Sequence, residues 1–236
     1  MQLSIIVPVF NEVAAICRTL AFAVAATATD DADDAETEII VVDGGSSDAT
    51  RAVVEAFAMQ ERCRITVIES QRGRANQMNA GAAMAAGDVL LFLHADTLLP
   101  VGAGQAIIHG LREKSLVWGR FDVHIEGHAR MLKVVAFCMN LRSRLTGIAT
   151  GDQAIFVMRQ TFVDADGFSV QPLMEDIALS RILKRRSAPL CLPDKVITSG
   201  RRWESNGVWR TILLMWTLRL QYWLGASPER LKRAYR

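Results

Sequence analysis

Charged side chains recur in this 236-residue sequence at the points where an apolar run gives way to a helical pattern. The first is Pro8-Val9-Phe10-Asn11-Glu12, and the second is Asp43-Gly44-Gly45-Ser46-Ser47-Asp48. Carboxylates at such places would accept hydrogen bonds from a nucleotide's ribose hydroxyls or imide N–H, and glycine would let a planar base approach the backbone. Helix capping is the competing explanation, with Asn11, Ser47 and Asp48 each placed to start a helix. It does not account for Asp43, because an acid ending a buried strand is costly without a partner.

Further on, Arg72-Gly73-Arg74 leads through Asn79 into Gly87-Asp88. Two arginines beside a glycine at a helix start suit a diphosphate, combining guanidinium forks with the helix dipole; a solvated turn is the bland alternative. The run Val89 to Leu93 ends in His94-Ala95-Asp96-Thr97. An aspartate just past a buried strand is a usual place for the ligand of a phosphate-bridging metal, although His-x-Asp alone is a weak signal. Finally, Glu175-Asp176 opens a helix after a loop with glycine and proline. Paired acids at a helix start more often stabilise the dipole, but at the lip of a cleft one can act as a general base.

Short β-branched runs (Leu3–Val9, Glu38–Val42, Arg64–Ile68, Val89–Leu93) alternate with helical stretches near 12–27, 48–61 and 75–86. That alternation predicts an α/β fold with a parallel sheet buried on both faces, which puts ligands at the carboxyl ends of the strands. Helices are predicted from Pro100 to Lys114 and over 128–145, 176–186 and 207–224, with strands at Val117–Ile125 and Ala154–Met158 and an extended segment Ala188–Thr198. Thr27 to Glu36, rich in acid, reads as a solvated loop. Residues 1–206 are expected to form the main domain, with 207–236 as its apolar and basic helical appendage.

Charge is strongly polarised along the chain. Residues 1–70 hold four basic and twelve acidic side chains, whereas residues 181–236 hold thirteen basic and three acidic ones. A basic tail suits an anionic membrane, nucleic acid or a phosphorylated substrate. The helix at 207–224 is apolar nearly all round, with tryptophans and arginines; an interfacial membrane helix, burial against the domain and a dimer contact are the three readings. No run reaches the roughly 18 apolar residues of a membrane span. Cys17, Cys63, Cys138 and Cys191 lack zinc spacing and are expected to be reduced, buried thiols of a cytoplasmic protein, peripheral at most on the inner membrane face.

In this order and spacing the motifs resemble the family 2 glycosyltransferases, inverting enzymes of the GT-A fold that use nucleotide-activated sugars. The H-A-D-T sequence and the small size resemble a compact bacterial branch. The resemblance implies a Rossmann-like, mainly parallel sheet flanked by helices. It implies that Glu12 and Asp43 hold the nucleoside, with Pro8, Phe10, Gly44, Arg72, Arg74 and Asn79 around the nucleotide. It gives Asp96 and His94 to Mn²⁺ or Mg²⁺, and Asp176, beside Glu175, to the catalytic base. Arg202 and Trp203 would sit beside the diphosphate and acceptor, where Ser199 stands in place of the usual glutamine. His94 replaces the first acid of D-x-D, which shifts preference away from Mg²⁺. The expected donor is a nucleoside-diphosphate sugar, UDP-linked, and the acceptor a hydroxyl, on a lipid or lipid-linked molecule if the tail meets membrane. Nucleic acid is not an expected partner. A dinucleotide oxidoreductase would need G-x-G-x-x-G after the first strand, which is absent. The remaining alternative is a nucleotide-sugar sensor that binds without transfer.

Overall fold

The computed structural model describes residues 1–27 and 37–235; apart from Thr27, the acidic stretch read as a solvated loop lies outside them. The first half alternates as expected: β1 (Leu3–Val9), α1 (Ile16–Thr27), β2 (Glu38–Asp43), α2 (Thr50–Ala58), β3 (Arg64–Glu69), α3 (Arg74–Met84) and β4 (Val89–Phe92). β1 pairs in parallel with β2 and β4, and β2 with β3. Successive side chains of β1 point to opposite faces, so Ile5 and Val7 join the core under α1 while Ile6 joins the core under α3. α3 lies so close to the sheet that a Cβ on Gly81 would stand 2.5 Å from Ile6 Cγ2. Only glycine permits that approach.

The second half runs β5 (Thr97–Leu98), α4 (Ala103–Lys114), β6 (Trp118–Glu126), α5 (Met131–Thr146), β7 (Phe156–Met158), α6 (Arg159–Val163), α7 (Glu175–Leu183), β8 (Leu190–Ser199), α8 (Arg201–Asn206), α9 (Val208–Trp223) and α10 (Pro228–Tyr235). Among the described residues the strands form one sheet, in the order β3-β2-β1-β4-β7-β6-β8-β5. The sheet is mainly parallel, as expected, with β6 also pairing in parallel with β8, while β7 runs antiparallel to both β4 and β6, and β5 antiparallel to β8. Hydrophobic periodicity fixes which residues are buried but says nothing about strand direction. Burial on both faces fails at the edge, where β3 is half-exposed.

Two further readings are corrected. The cysteines are free but none is buried; Cys17 and Cys138 are exposed. Asn11 does not cap α1, which starts only at Ile16; its carboxamide oxygen accepts from Ser47 N at 2.8 Å. Among the described residues, no helix is long and apolar enough to cross a membrane.

Candidate active site

The carboxyl ends of β1 and β4, the start of α3 and the start of α7 open onto one cleft of about 440 Å³. Pro8, Phe10, Glu12, Arg72, Arg74, His94, Asp96 and Glu175 all line it, drawn from four separate stretches of sequence. The Arg72 guanidinium stacks 3.8 Å from the centre of the Phe10 ring. Arg74 reaches Glu175 at 3.7 Å. Asp96 is half-buried, and its charge, after desolvation, helps to push the Glu12 carboxyl above its ordinary pKa; Arg201 opposes both.

The β1–β2 edge of the cleft is fastened by hydrogen bonds between two turns. Asn11 N donates to Ser46 Oγ at 2.9 Å, and Glu12 N donates to Thr50 Oγ1 at 2.8 Å. Asp43 is buried, as its place at a strand end required, but its carboxylate is occupied: it accepts from Ser46 N at 3.1 Å and Ser46 Oγ at 2.6 Å. Gly44 N donates to Val9 O at 3.0 Å, and the buried Gln77 amide donates to Val9 O at 2.7 Å and Val42 O at 2.9 Å. Gln77 thus ties the ends of β1 and β2 together and lines the cleft. Gln77 belongs to none of the motifs above; its signal in the sequence is a glutamine on the apolar side of α3, between Ala75 and Met78. Asn79 is turned elsewhere, exchanging bonds of 2.8 and 2.9 Å with the backbone of Phe168.

On the opposite side, Met174 adopts φ 69 just before α7, a left-handed conformation costly for a long side chain, and this presents Glu175 and Asp176 inward. Glu175 is 4% exposed; desolvation and the Asp176 charge raise its pKa, and Arg74 offsets this only in part. Asp176 lies one step behind the cleft, in a small hollow shared with Arg74, His94, Gly151 and Glu175. Its carboxylate accepts from Gly151 N at 2.9 Å and from Ile177 N at 2.7 Å. Asp152, unremarked in the sequence, has its carboxylate 3.3 Å from His94 Nδ1. Desolvation raises the Asp152 pKa, but His94, Arg74 and Arg219 outweigh it and leave the group below its ordinary value.

The C-terminal helices close over this edge. Leu218 of α9 and Leu231 of α10 bury themselves with Met174 and Ile177, and Lys232 and Tyr235 line the cleft. α10 was not anticipated. Of the Arg201-Arg202-Trp203 run, Arg201 reaches Glu12 at 3.4 Å, whereas Arg202 stacks 3.6 Å over the Tyr235 ring and Trp203 packs against the core.

Among the described residues, no group of three His, Cys, Asp or Glu side chains could cage a metal. A divalent ion that takes most of its oxygens from phosphates and water needs no such cage. Asp96 fits that role, as a half-buried carboxylate in the cleft. His94 fits it less well. With Nδ1 toward Asp152, its Nε2 is buried without a partner, and a Cβ on Gly151 would stand 2.3 Å from it, so the free nitrogen faces backbone.

Residues 4–169 match the family model described as Glycosyl transferase family 2. The chain belongs to this family. The family 2 chain is 24% identical over 192 residues to poly-β-1,6-N-acetyl-D-glucosamine synthase of Staphylococcus epidermidis, covering 74% of this chain and 47% of that protein. It is 29% identical over 118 residues to an uncharacterised glycosyltransferase of Nostoc, covering 50% of this chain and 35% of that one. It therefore spans half or less of these relatives. Among solved structures it resembles the mannosyltransferase PcManGT of Pyrobaculum calidifontis in complex with GDP-Man and Mn²⁺, with TM-score 0.71 and 20% identity over 99% of this chain and 68% of that one. It also resembles S. aureus TarS in complex with UDP-GlcNAc, with TM-score 0.67 and 18% identity over 84% of this chain and 58% of that one. The shared architecture is the GT-A-type α/β fold.

Proposed function

We propose that this family 2 chain transfers a sugar from a nucleoside-diphosphate sugar, UDP-linked, to an acceptor hydroxyl, with inversion at the anomeric carbon. The observation that carries this reading is the single cleft at the strand ends, where Phe10, Glu12, Arg72, Arg74 and Asp96 meet the Glu175-Asp176 helix start. The TarS complex with UDP-GlcNAc supports a UDP donor, and the PcManGT complex with GDP-Man makes GDP the competitor.

In this reading the Phe10 face and Glu12 hold the nucleoside, and Arg72 and Arg74, at the start of α3, hold the diphosphate. A Mn²⁺ or Mg²⁺ ion held by Asp96 would supply further positive charge to the diphosphate. The acceptor oxygen attacks the anomeric carbon from the side opposite the diphosphate. The bond from that carbon to the diphosphate oxygen breaks, and its electrons leave with the nucleoside diphosphate. Asp176 takes the hydroxyl proton, and the two backbone N–H groups on its carboxylate hold its orientation. Glu175 is the second candidate for the base, because it lies on the cleft itself and its pKa is raised.

Calorimetric titration of UDP and GDP, with and without Mn²⁺, tests the donor half on wild type and Asp96→Ala. The expected result is metal-enhanced UDP binding that Asp96→Ala abolishes. Preference for GDP would move the donor to the mannosyl type. Binding without turnover across acceptors would indicate a sensor, and folded protein that binds neither nucleotide would end the transferase reading.

A further inference from the structure

The C-terminal helix α9 presents a continuous apolar stripe to solvent. Trp209, Leu213, Trp216, Leu220 and Trp223 are 56–71% exposed and follow one another at helical spacing, so they share one face. Three of the chain's five tryptophans are on it. The neighbouring helix α5, which packs against α9, repeats the arrangement with Val134, Phe137, Leu141 and Leu145, 44–78% exposed. Surface apolar residues scattered singly need no explanation, but two adjoining helices with full apolar stripes do.

Charge decides between the occupants such a face could have. Neither α5 nor α9 contains a single Asp or Glu; Lys133, Arg144 and Arg210 are exposed on them, whereas Arg142 and Arg219 turn inward towards the Asp176 carboxylate. Beside α5 runs a groove of about 360 Å³ floored by Val123, Ala136 and Phe137, with Lys133, Arg144 and Lys195 among its lining. The acid in that groove, Asp122, is already paired with Arg120 and Arg144. A second copy of the chain meeting this face about a two-fold axis would bring like charges together with nothing to neutralise them. An anionic lipid surface meets both features, with acyl chains taking the tryptophans and leucines and headgroup phosphates the flanking cations.

We propose that the α5–α9 face seats the protein on an anionic bilayer surface, as a peripheral contact rather than a span. Arg219, on the same helix, acts electrostatically on Asp176 and Asp152. α9 therefore connects the lipid-facing surface to the hollow holding Asp176, and in the proposed transferase the membrane itself would present the acceptor. The membrane contact does not depend on the transferase reading.

Flotation of the full chain with vesicles tests it directly. Phosphatidylglycerol–phosphatidylcholine vesicles should carry the protein and pure phosphatidylcholine vesicles should leave most of it behind, with binding weakened by added salt. Each flanking Lys or Arg should contribute about fivefold. Trp216→Ser with Leu220→Ser should reduce partitioning at least tenfold while UDP or GDP titration stays unchanged, which shows that the variant is folded. A Lys133→Gln, Lys195→Gln variant, which leaves the apolar stripe intact, should lose affinity for anionic vesicles only. If wild type stays in solution with anionic vesicles, or runs as a dimer that the Trp216 and Leu220 changes dissociate, the proposal is overturned. Failure of nucleotide binding with normal flotation would instead count against the transferase reading alone.

Discussion

The two sides of the cleft are built differently. On the β1–β2 side the polar groups are satisfied within the chain: Asp43 by Ser46, Asn11 by Ser47, and Val9 O and Val42 O by Gln77. On the side formed by α5, α7 and α9 they are not. His94 Nε2, Arg142 Nε and Nη2 and Ser143 Oγ are buried with no partner, and Met174 and Ala154 are held at positive φ, as is Asn11 on the first side, so the two sides differ in pairing rather than in strain. Buried polar groups are normally paired. The first side is finished before any ligand arrives, which suits the donor that the proposed function seats there. The second keeps hydrogen-bonding capacity unspent, which is where selection of a particular acceptor would be made.

The sharpest break of this contrast is at the base. Asp176→Asn should lower transfer by about 10²–10⁴-fold, the usual worth of general-base catalysis, and leave nucleotide binding intact. Glu175→Gln should cost less, through loss of the Arg74 partner. If Glu175 is the base instead, its variant suffers the larger loss. In that case the acid limb of the wild-type kcat profile lies above the ordinary glutamate value of 4.5, since desolvation and Asp176 raise the Glu175 pKa. Comparing kcat–pH profiles of the two variants separates the assignments.

Next in size is the donor side's own fastening. Gln77→Leu strips a hydrogen bond from each of two buried strand-end carbonyls, and each unsatisfied group costs about 1–3 kcal/mol. Val9 O keeps its bond from Gly44 N, so the total should be nearer 2 kcal/mol, a fall in Tm of about 4–8 °C. Nucleotide affinity should fall with it, because the same carbonyls set the cleft edge.

Arg142 tests the other side with the opposite sign. Desolvation and the nearby Arg219 and Arg120 charges lower its pKa to about 10, only partly relieved by Asp176. A guanidinium that stays charged while burial and like charges disfavour its charged form destabilises the fold at neutral pH. Arg142→Met should therefore raise Tm at pH 7, leave nucleotide binding unchanged and reduce transfer. A lower Tm would mean that Arg142 is well paired after all, and the contrast between the two sides would fail.

How much of this could be read in the sequence follows the same division. β1 to β4 and the residues at their ends were legible because buried parallel strands leave unbroken apolar runs, and an acid or arginine ending such a run stands out. The second half was legible as elements but not as topology, since β7 pairs antiparallel through three residues that carry no mark of direction. Arg201 and Arg202 are adjacent in an R-R-W run, so only the turn into α8 decides that Arg201 meets Glu12. Asp152 was missed because its meaning comes from His94, far away in sequence. α10 was missed because its few apolar residues, Leu231 and Tyr235, find partners only once α9 and α7 are in place.

The smallest effect returns to the donor turns. The Asp48 carboxylate accepts from Thr50 N at 2.9 Å and from Thr50 Oγ1, and weakly from Val13 N at 3.4 Å. The Thr50 side chain is the main cause of its lowered pKa, against the ordinary 3.8. An acid with a depressed pKa stabilises the fold above its unfolded value and loses that contribution as pH falls through the folded one. Asp48→Asn should thus lower Tm slightly at pH 7, and the gap to wild type should close as pH drops below 3.8. The exposed position keeps the effect small, and Ser46, Ser47 and Thr50 would still hold the two turns together. A large loss of nucleotide affinity from so exposed a residue would mean that the donor edge is poised rather than finished. The unspent capacity would then not be confined to the α5–α7–α9 side.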